Sequence, residues 1–303
     1  MDHSFLWGLF ALLVAATFVV DLGVLNKKDK QLSTRAALAW TGVWVAIGLG
    51  FCGVLAIFDE PGRATEYLAC YMTEYALSVD NIFVFLVIFS FFAVPPEHQR
   101  RVLFWGIFGA MVLRGAFLFG GVALVERFHW TVWVLGGILI LTGIKLFFQK
   151  EGEVHPDKNP ILKIARRVLP LTHEYDGDKF FTRRAGKLLA TPMFLALLVV
   201  ESTDLLFAVD SVPAALALSK DRLVLYTSNV FAILGLRSLF FAVAGLLRYL
   251  RYLRVGLSAI LVFVGVKMCL PEHSKLPIGV ALGVVAGILA ISILASVLRR
   301  DPT

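Results

Sequence analysis

The stretch that decides the fold is residues 201–213, which read ESTDLLFAVDSVP. It lies in an otherwise apolar run from Leu188 to Leu218, which is long enough to cross a membrane as one helix. Three carboxylates interrupt this run: Glu201, Asp204 and Asp210. Because a charge at the centre of a bilayer costs about 2.5–3.5 kcal/mol even on a lenient scale, these acids need an explanation.

The rest of the chain has the composition of a membrane protein. Of its 303 residues 58% are hydrophobic and 17% are charged, and the mean hydropathy is +0.80. A soluble core cannot bury that much apolar surface, so we expect an all-α, polytopic membrane bundle of about nine transmembrane helices. The nine apolar stretches are Phe5–Leu25, Ala36–Phe58, Tyr67–Val94, Val102–Val125, Thr131–Phe148, Leu188–Leu218, Leu223–Leu247, Leu253–Leu270 and Leu276–Leu298.

The basic residues between these stretches predict the orientation. With nine spans and the N-terminus outside, the cytoplasmic segments hold twenty lysines and arginines and the outer segments hold five. This asymmetry is typical of multi-pass proteins of the bacterial inner membrane, and it places the C-terminus in the cytoplasm. The net charge of +7 is therefore interpreted as a topology signal, with the lipid bilayer and not nucleic acid as the partner.

Charged residues recur in the same order in two parts of the chain. The segment GIFGAMVLRGAFLFGG (106–121) aligns with SNVFAILGLRSLFFAVAG (228–245), and the separation from its arginine to the next intramembrane lysine is 31 residues in the first copy and 30 in the second. Since each copy holds three spans, the second enters the membrane inverted, as in many secondary transporters. The matched pairs are Arg114 with Arg237, Lys145 with Lys267, Glu74 with Asp204, Asp80 with Asp210, and Asn81 with Ser211.

This repeat divides the single transmembrane domain into five parts. We expect two N-terminal spans in residues 1–65, the first repeat in 66–149, a cytoplasmic loop in 150–187, the second repeat in 188–271 and a C-terminal span in 272–303. Within the loop, PILKIARRVL (160–169) has the pattern of a basic amphipathic helix on the inner leaflet. The acidic stretch HEYDGD (173–178) is either a cation site or a solvated loop.

The intramembrane acids predict a cation site shared by the two repeats. Pro213 cannot donate to the carbonyl of Val209, so we expect a helix break or kink just after Asp210. Without such a break, Asp80 and Asp210 point about a third of a turn away from the other acids. The predicted metal ligands are Glu74, Asp80, Asn81, Glu201, Asp204, Asp210 and Ser211, and the predicted charge-pairing residues are Arg114, Arg237, Lys145 and Lys267.

The ligand types indicate the class of ion. Carboxylate, amide and hydroxyl oxygens suit the hard cations magnesium, calcium and manganese, whereas zinc and copper favour thiolate or imidazole. No histidine falls in the cluster, and no phosphate-binding loop indicates ATP hydrolysis. Paired membrane aspartates also occur in intramembrane proteases, but no matching glycine-aspartate motif is present here. We therefore expect a protein that is not an enzyme and has no resident cofactor.

Four segments resemble a known family. EYALSVDNIFVFL (74–86), ESTDLLFAVDSVPA (201–214), TSNVFAILGLRSLFF (227–241) and ILVFVGVKM (260–268) are similar to the TerC family of integral membrane proteins, and within it to the Alx branch. The family is named for tellurite resistance. The resemblance implies manganese export, or the supply of manganese to exported enzymes. It also nominates the seven predicted ligands and adds manganese as the ion, which the oxygen chemistry had left open.

These observations lead to two functional hypotheses. In the first, the chain is a secondary transporter that exports manganese and exchanges it for protons at the same carboxylates. In the second, it is a non-transporting membrane protein that supplies metal to exported proteins or assembles with them. Both need the acidic site, but only the transporter needs that site to open to each side in turn. The sequence does not determine the oligomeric state.

The predicted topology can be tested by labelling single cysteines with a membrane-impermeant thiol reagent. Arg127→Cys and Lys220→Cys should be labelled from outside intact spheroplasts, because both positions lie in predicted outer loops. Arg166→Cys and Arg251→Cys should react only after the membrane is opened. Labelling of positions 166 and 220 from the same side contradicts the inverted repeat.

Overall fold

The computed structural model describes residues 3–24, 34–128, 130–148, 159–172, 174–184, 186–244, 252–271 and 276–298. The protein is an all-α polytopic membrane protein, as the sequence predicts. The described residues also contain one short β-hairpin, which was not predicted. The elements are α1 (His3–Val24), α2 (Thr34–Phe58), α3 (Pro61–Phe91), α4 (Pro96–Arg127), α5 (Thr131–Phe148), α6 (Pro160–Val168), β1 (Phe181–Arg184), β2 (Lys187–Ala190), α7 (Pro192–Leu218), α8 (Arg222–Leu234), α9 (Leu236–Ala244), α10 (Leu253–Cys269) and α11 (Ile278–Leu298).

Each predicted span coincides largely with a helix, except that α8 and α9 together occupy one span. Among the described residues, six stretches are long and apolar enough to cross a membrane, and two shorter apolar helices accompany them. The long helix α3 is not among the six; it carries Glu66, Glu74 and Asp80 within its length. The count of nine spans stays a prediction. The six stretches are Thr34–Phe58, Pro96–Arg127, Thr131–Phe148, Pro192–Leu218, Arg222–Ala242 and Ile278–Ser296.

Helix α7 differs from its prediction in two ways: where it begins, and whether it is interrupted at Pro213. It begins at Pro192 rather than Leu188, because residues 187–190 pair with β1 and a proline is well suited to the first helical turn. The helix also continues through Pro213, so it is not broken after Asp210 as the first alternative predicted, and the second alternative, a kink there, stays a prediction. A proline removes only one helical hydrogen bond, and tight packing around the buried segment 211–216 can hold such a helix together. The chain is interrupted instead at Gly235, between α8 and α9.

Helix α6 lies where the sequence predicts a basic amphipathic helix. Asn159 caps it by accepting from the backbone amides of Ile161 and Leu162. The same side chain donates to the hydroxyl of Ser202 on α7 at 2.8 Å. Leu162 and Ala165 are buried, so one face of α6 packs on the bundle. Its contact with the inner leaflet stays a prediction.

Several contacts join helices of the two predicted repeats. Helices α5 and α10, the third span of each copy, form the most extensive pair, and their backbones meet at Gly136 and Gly265. The second span of the first predicted repeat, α4, packs on the first span of the second, α7. In the same way α3, the first span of the first repeat, packs on α8, the second span of the second. Two halves related by symmetry would pack like this. The first helices of the two copies, α3 and α7, also contact each other. The repeat itself stays a prediction.

A polar layer separates two apolar clusters. On α3 the fully buried part of the first cluster ends at Leu77 and the second begins at Ile82. On α7 the fully buried members of the two clusters leave out residues 201–207, although half-buried Phe207 packs against the second. On α4 the buried residues between them are Ala110, Arg114 and Gly115, of which only Arg114 carries a charge. The acidic stretch of the sequence therefore lies at the depth where both clusters stop.

We predict that Gly265→Ala destabilises the bundle. An added Cβ would lie 2.8 Å from the carbonyl oxygen of Gly136 and 3.0 Å from the amide of Ile140, and neither backbone atom can move alone. Such overpacking costs about 1–3 kcal/mol, which should appear as a lower midpoint of unfolding in detergent. The control is Gly137→Ala, where the Cβ meets nothing within 4 Å and alanine's helix propensity should keep the midpoint level or raise it. Equal midpoints for both variants contradict the close pairing.

Candidate functional site

Arg114 on α4 is the centre of a buried network of ion pairs that links α4 to α3 and α7. Its Nη1 donates to Oε1 of Glu74 on α3. On the other side, its Nε and Nη2 donate to Oδ2 and Oδ1 of Asp204 on α7 at 3.3 and 3.1 Å. All three side chains are at most 3% exposed. Since α3 belongs to the first predicted repeat and α7 to the second, this network joins the two copies.

Asn81 extends this network on α3. With its amide oxygen turned towards the guanidinium, Asn81 accepts from Nη2 of Arg114 at 3.2 Å and donates to the carbonyl of Leu77 at 3.2 Å. Glu74 and Asn81 are two helical turns apart, so their side chains leave α3 on the same face. Two carboxylates and one guanidinium leave this buried group with a formal charge of −1 when both acids are ionised.

Glu201 lies one turn before Asp204 and faces α4. Its carboxylate occupies the space that a Cβ would fill at Gly109, so a side chain at that position would displace the carboxylate from this place. Its Oε2 is buried and has no hydrogen-bond partner among the described residues. Glu201 is therefore a third acid at the depth of the polar layer, and it is not neutralised by Arg114.

Asp210 has different neighbours. It interacts with the hydroxyl of Thr142 and lies near Lys145, both on α5. Since α7 is continuous, Asp210 points to another face of that helix than Asp204, and no described contact joins it to Arg114. The sequence prediction placed both aspartates in one site, and the structure does not bring them together.

The remaining predicted residues are distributed along the bundle. Arg237 is buried in α9, beside Ser238, whose hydroxyl accepts from Nε1 of Trp44 at 3.1 Å. Lys267 is buried and its Nζ donates at 3.0 Å to the carbonyl of Ala217 in the last turn of α7, where a cation is favourable. The side chain of Asp80 lies outside the described residues.

Several buried polar atoms near this depth have no hydrogen-bond partner among the described residues. Ser78 on α3 lies on the face of Glu74 and Asn81, and Ser211 lies one turn beyond Phe207 on α7. Asn229 on α8 leaves both its side-chain oxygen and its nitrogen unpaired, and the sequence reasoning missed it. An asparagine in an apolar stretch was the available signal, but it has no polar counterpart in the first repeat.

The acidic loop after α6 is accounted for by ion pairs. Glu174 pairs with Arg184 at 2.6 Å, and Asp178 pairs with Arg101 at 2.5 Å. Asp176 accepts from Thr182 and from Lys179, and these hydrogen bonds lower the pKa of its carboxyl. Of the two interpretations of this stretch, the pairing favours a structural loop over a cation site.

The described side chains that join Arg114 in the polar layer offer a metal ion oxygen ligands. Within the described residues, no three histidine, cysteine, aspartate or glutamate side chains lie close enough to form a metal centre by themselves. A cation here would need Glu74 and Asp204 together with amide and hydroxyl oxygens. That donor set suits hard divalent cations.

Comparisons with known proteins agree with this architecture. The family model described as "Integral membrane protein TerC family" matches residues 59–303. This chain belongs to the TerC family. The match includes α3, α4 and α7, the three helices that Arg114 links.

Relatives of this TerC-family chain cover nearly its whole length. It is 48% identical over 302 residues to "Uncharacterized membrane protein STKORF319" of Myxococcus xanthus, covering 98% of this chain and 94% of that protein. It is 40% identical over 296 residues to "Putative membrane-bound redox modulator Alx" of Escherichia coli (strain K12), covering 95% and 92%. The Alx protein of Photorhabdus laumondii is 38% identical over 301 residues, covering 96% and 94%. No solved structure matches the chain.

We predict that Arg114→Ala destabilises this TerC-family protein by about 3–5 kcal/mol, because it leaves two buried carboxylates without their cation. The measurement is the free energy of unfolding in detergent. Arg222→Ala is the control, since it breaks an exposed pair with Glu126 at 3.2 Å that is worth about 0–1 kcal/mol. If both variants lose the same stability, Arg114 does not hold α3 and α7 together.

Proposed function

We propose that this TerC-family protein is a secondary transporter that exports manganese(II) across the bacterial inner membrane in exchange for protons. The observation that carries the proposal is the buried polar layer in which Arg114 joins Glu74 to Asp204. Ionisable groups inside membrane spans are expensive, and they usually mark the path of an ion or proton. A site at the junction of two repeats is also typical of secondary transporters.

The substrate class follows from the donors in this layer. Carboxylate oxygens from Glu74 and Asp204 meet at Arg114 together with the amide of Asn81, and the unpaired hydroxyl of Ser78 lies one turn from Glu74 on the same face of α3. Such oxygens replace the hydration shell of a hard divalent cation. Among these cations, manganese is proposed because of the family resemblance, and calcium and magnesium are the competitors to test.

Arg114 provides the cation that the acids need when no metal is bound. Its guanidinium holds Asp204 through two hydrogen bonds and reaches Glu74 on its other side. A divalent ion can bind both carboxylates only if the guanidinium gives up at least one of them. Metal binding therefore competes with the contact that Arg114 makes between α3 and α7. Because of this competition, the bound ion could change how the two repeats pack.

Protons can compete for the same carboxylates. Burial disfavours the charged form of an acid, whereas a bound divalent cation favours it. Metal binding at such a site therefore releases protons, and a rise in proton concentration releases metal. If the site opens to each side of the membrane in turn, this competition couples manganese export to proton entry.

The rival proposal is a membrane protein that supplies metal to exported proteins without moving it across the membrane. It uses the same acids and the same competition with Arg114. It differs in one physical requirement, since the site need not open to both sides. Transport by the purified protein separates the two proposals.

We predict that proteoliposomes containing only this protein take up manganese(II) when a proton gradient of opposite direction is imposed. Asp204→Asn should reduce the initial rate at least about tenfold, because it keeps the shape of the side chain and removes one charge that the cation needs. Rates can be followed with a manganese-quenched dye inside the vesicles, with calcium and magnesium as competitors.

The matched control is Asp178→Asn, which also removes one carboxylate charge but lies in the surface pair with Arg101. It should transport at the wild-type rate. Absence of uptake by the wild-type protein contradicts the transport proposal and favours the rival. A wild-type rate for Asp204→Asn leaves transport intact and removes the polar layer as its site.

A further inference from the structure

Asn229 is the buried amide that neither the ion-pair network nor the predicted repeat uses. It is 1% exposed, and neither its oxygen nor its nitrogen has a hydrogen-bond partner within the part of the chain that the structure describes. A side-chain amide can accept two hydrogen bonds through its oxygen and donate two through its nitrogen. Burying it in a protein interior without any of these bonds costs free energy of folding. A side chain kept in this state is expected to bind something.

The contacts of α8 give the direction of this side chain. The ring of Tyr226 packs on Gly115 of α4, and the side chain of Ser228 lies beside the thiol of Cys70 on α3. Each residue turns about 100° around a helix, so residue 229 lies between these two directions. Phe231, almost opposite to Asn229, packs on Phe10 and Phe51 of α1 and α2. The amide therefore faces the space between α3 and α4, which Arg114 crosses.

The same contacts give the position of Asn229 along the helix axes of the bundle. Ser228 is level with Cys70, which is one helical turn before Glu74. Tyr226 is level with Gly115, the residue after Arg114. Asn229 is consequently within about one helical turn of the pair between Arg114 and Glu74.

Two unpaired hydroxyls belong to the same region. Ser78 lies one turn from Glu74 on α3. Ser211 lies one turn before Ala215, whose carbonyl accepts from the thiol of Cys70 at 3.8 Å. Like Asn229, both are at most 1% exposed. Three helices thus direct neutral oxygens, without partners, towards one junction.

We propose that the side-chain oxygen of Asn229 is a ligand of the transported divalent cation, and that the hydroxyls of Ser78 and Ser211 complete the neutral part of its coordination shell. This inference rests on the proposed function and adds a residue from α8 to the site. A hard cation takes six or more oxygens, more than Glu74 and Asp204 supply. Neutral oxygens replace bound water without adding charge, so they help the ion enter without holding it too firmly.

The surrounding charge favours a cation over an anion. Glu74, Asp204 and Glu201 contribute three carboxylates to this layer, and Arg114 contributes one guanidinium. The ammonium of Lys267 also acts on Cys70, but it is held by the carbonyl of Ala217. An anion bound by the amide nitrogen of Asn229 would meet these acids. A water molecule at Asn229 is the remaining occupant, and it makes a different prediction for a substitution.

The test compares Asn229→Leu with the wild-type protein, both purified in detergent. Leucine keeps the approximate size of the side chain and removes the unpaired amide, so without metal the unfolding midpoint should stay level or rise. The affinity for manganese(II), measured by calorimetry and by the metal-dependent rise of that midpoint, should fall by roughly ten- to a hundredfold. A residue with only a structural role would not give an unchanged or higher unfolding midpoint together with a lower affinity for manganese(II).

Thr227→Val is the matched control on the same helix. Thr227 is fully buried, and its hydroxyl is satisfied by the carbonyl of Leu223 at 2.7 Å. The variant should bind manganese(II) like the wild type. A second variant, Asn229→Asp, keeps an oxygen and adds a negative charge for which protons compete with the metal. Its affinity for manganese(II) should therefore depend more steeply on pH. This variant tests the role of Asn229 if Asn229→Leu does not fold.

The outcomes separate this inference from the proposed function. If wild-type protein binds manganese(II) and Asn229→Leu binds it equally well, Asn229 holds water or nothing, and the inference is overturned. An unchanged pH dependence in Asn229→Asp has the same meaning. If the wild type neither binds nor transports manganese(II), the proposed function fails first, and the assignment of Asn229 as its ligand fails with it.

Discussion

The buried contact of Arg114 with Glu74 and Asp204 is the interaction on which the rest of the structure depends. Charges inside a membrane protein are tolerated only when they are paired, because no water is available to solvate them. One guanidinium satisfies acids from two helices, so α3 and α7 must meet at the depth of Arg114. The packing of α4 on α7 follows, since Gly106 and Gly109 let their backbones approach Val200 and Glu201.

This constraint also explains why the protein has two apolar clusters rather than one. A continuous apolar core would place the three charged side chains among hydrocarbon groups. The structure instead ends one cluster before the polar layer and begins the next after it. The glycine-packed pair of α5 and α10 contacts α7 and forms close backbone contacts of its own.

The polar layer is only partly satisfied. Arg114 and Asn81 have hydrogen-bonded partners, whereas Ser78, Ser211 and Asn229 have none within the described residues. Buried polar networks of this kind are costly unless they are complete, and functional sites are where incomplete ones are retained. A cation that bonds to the carboxylates and to the neutral oxygens would complete the network. The arrangement without metal and the arrangement with metal would then differ mainly in where the guanidinium lies.

The sequence by itself determined the class of fold and the identity of most charged participants. Apolar stretches of about twenty residues can only be helices in a membrane, and an acid inside such a stretch is conspicuous because its cost is high. Glu74, Arg114 and Asp204 could therefore be named from the sequence. Tertiary structure decided which of them meet. It separated Asp210 from Asp204, because α7 remains helical through Pro213 when its neighbours pack tightly against it. It also identified Asn229, because a neutral amide is inexpensive enough to pass unnoticed in a sequence, and only the surrounding helices reveal that its hydrogen bonds are unmade.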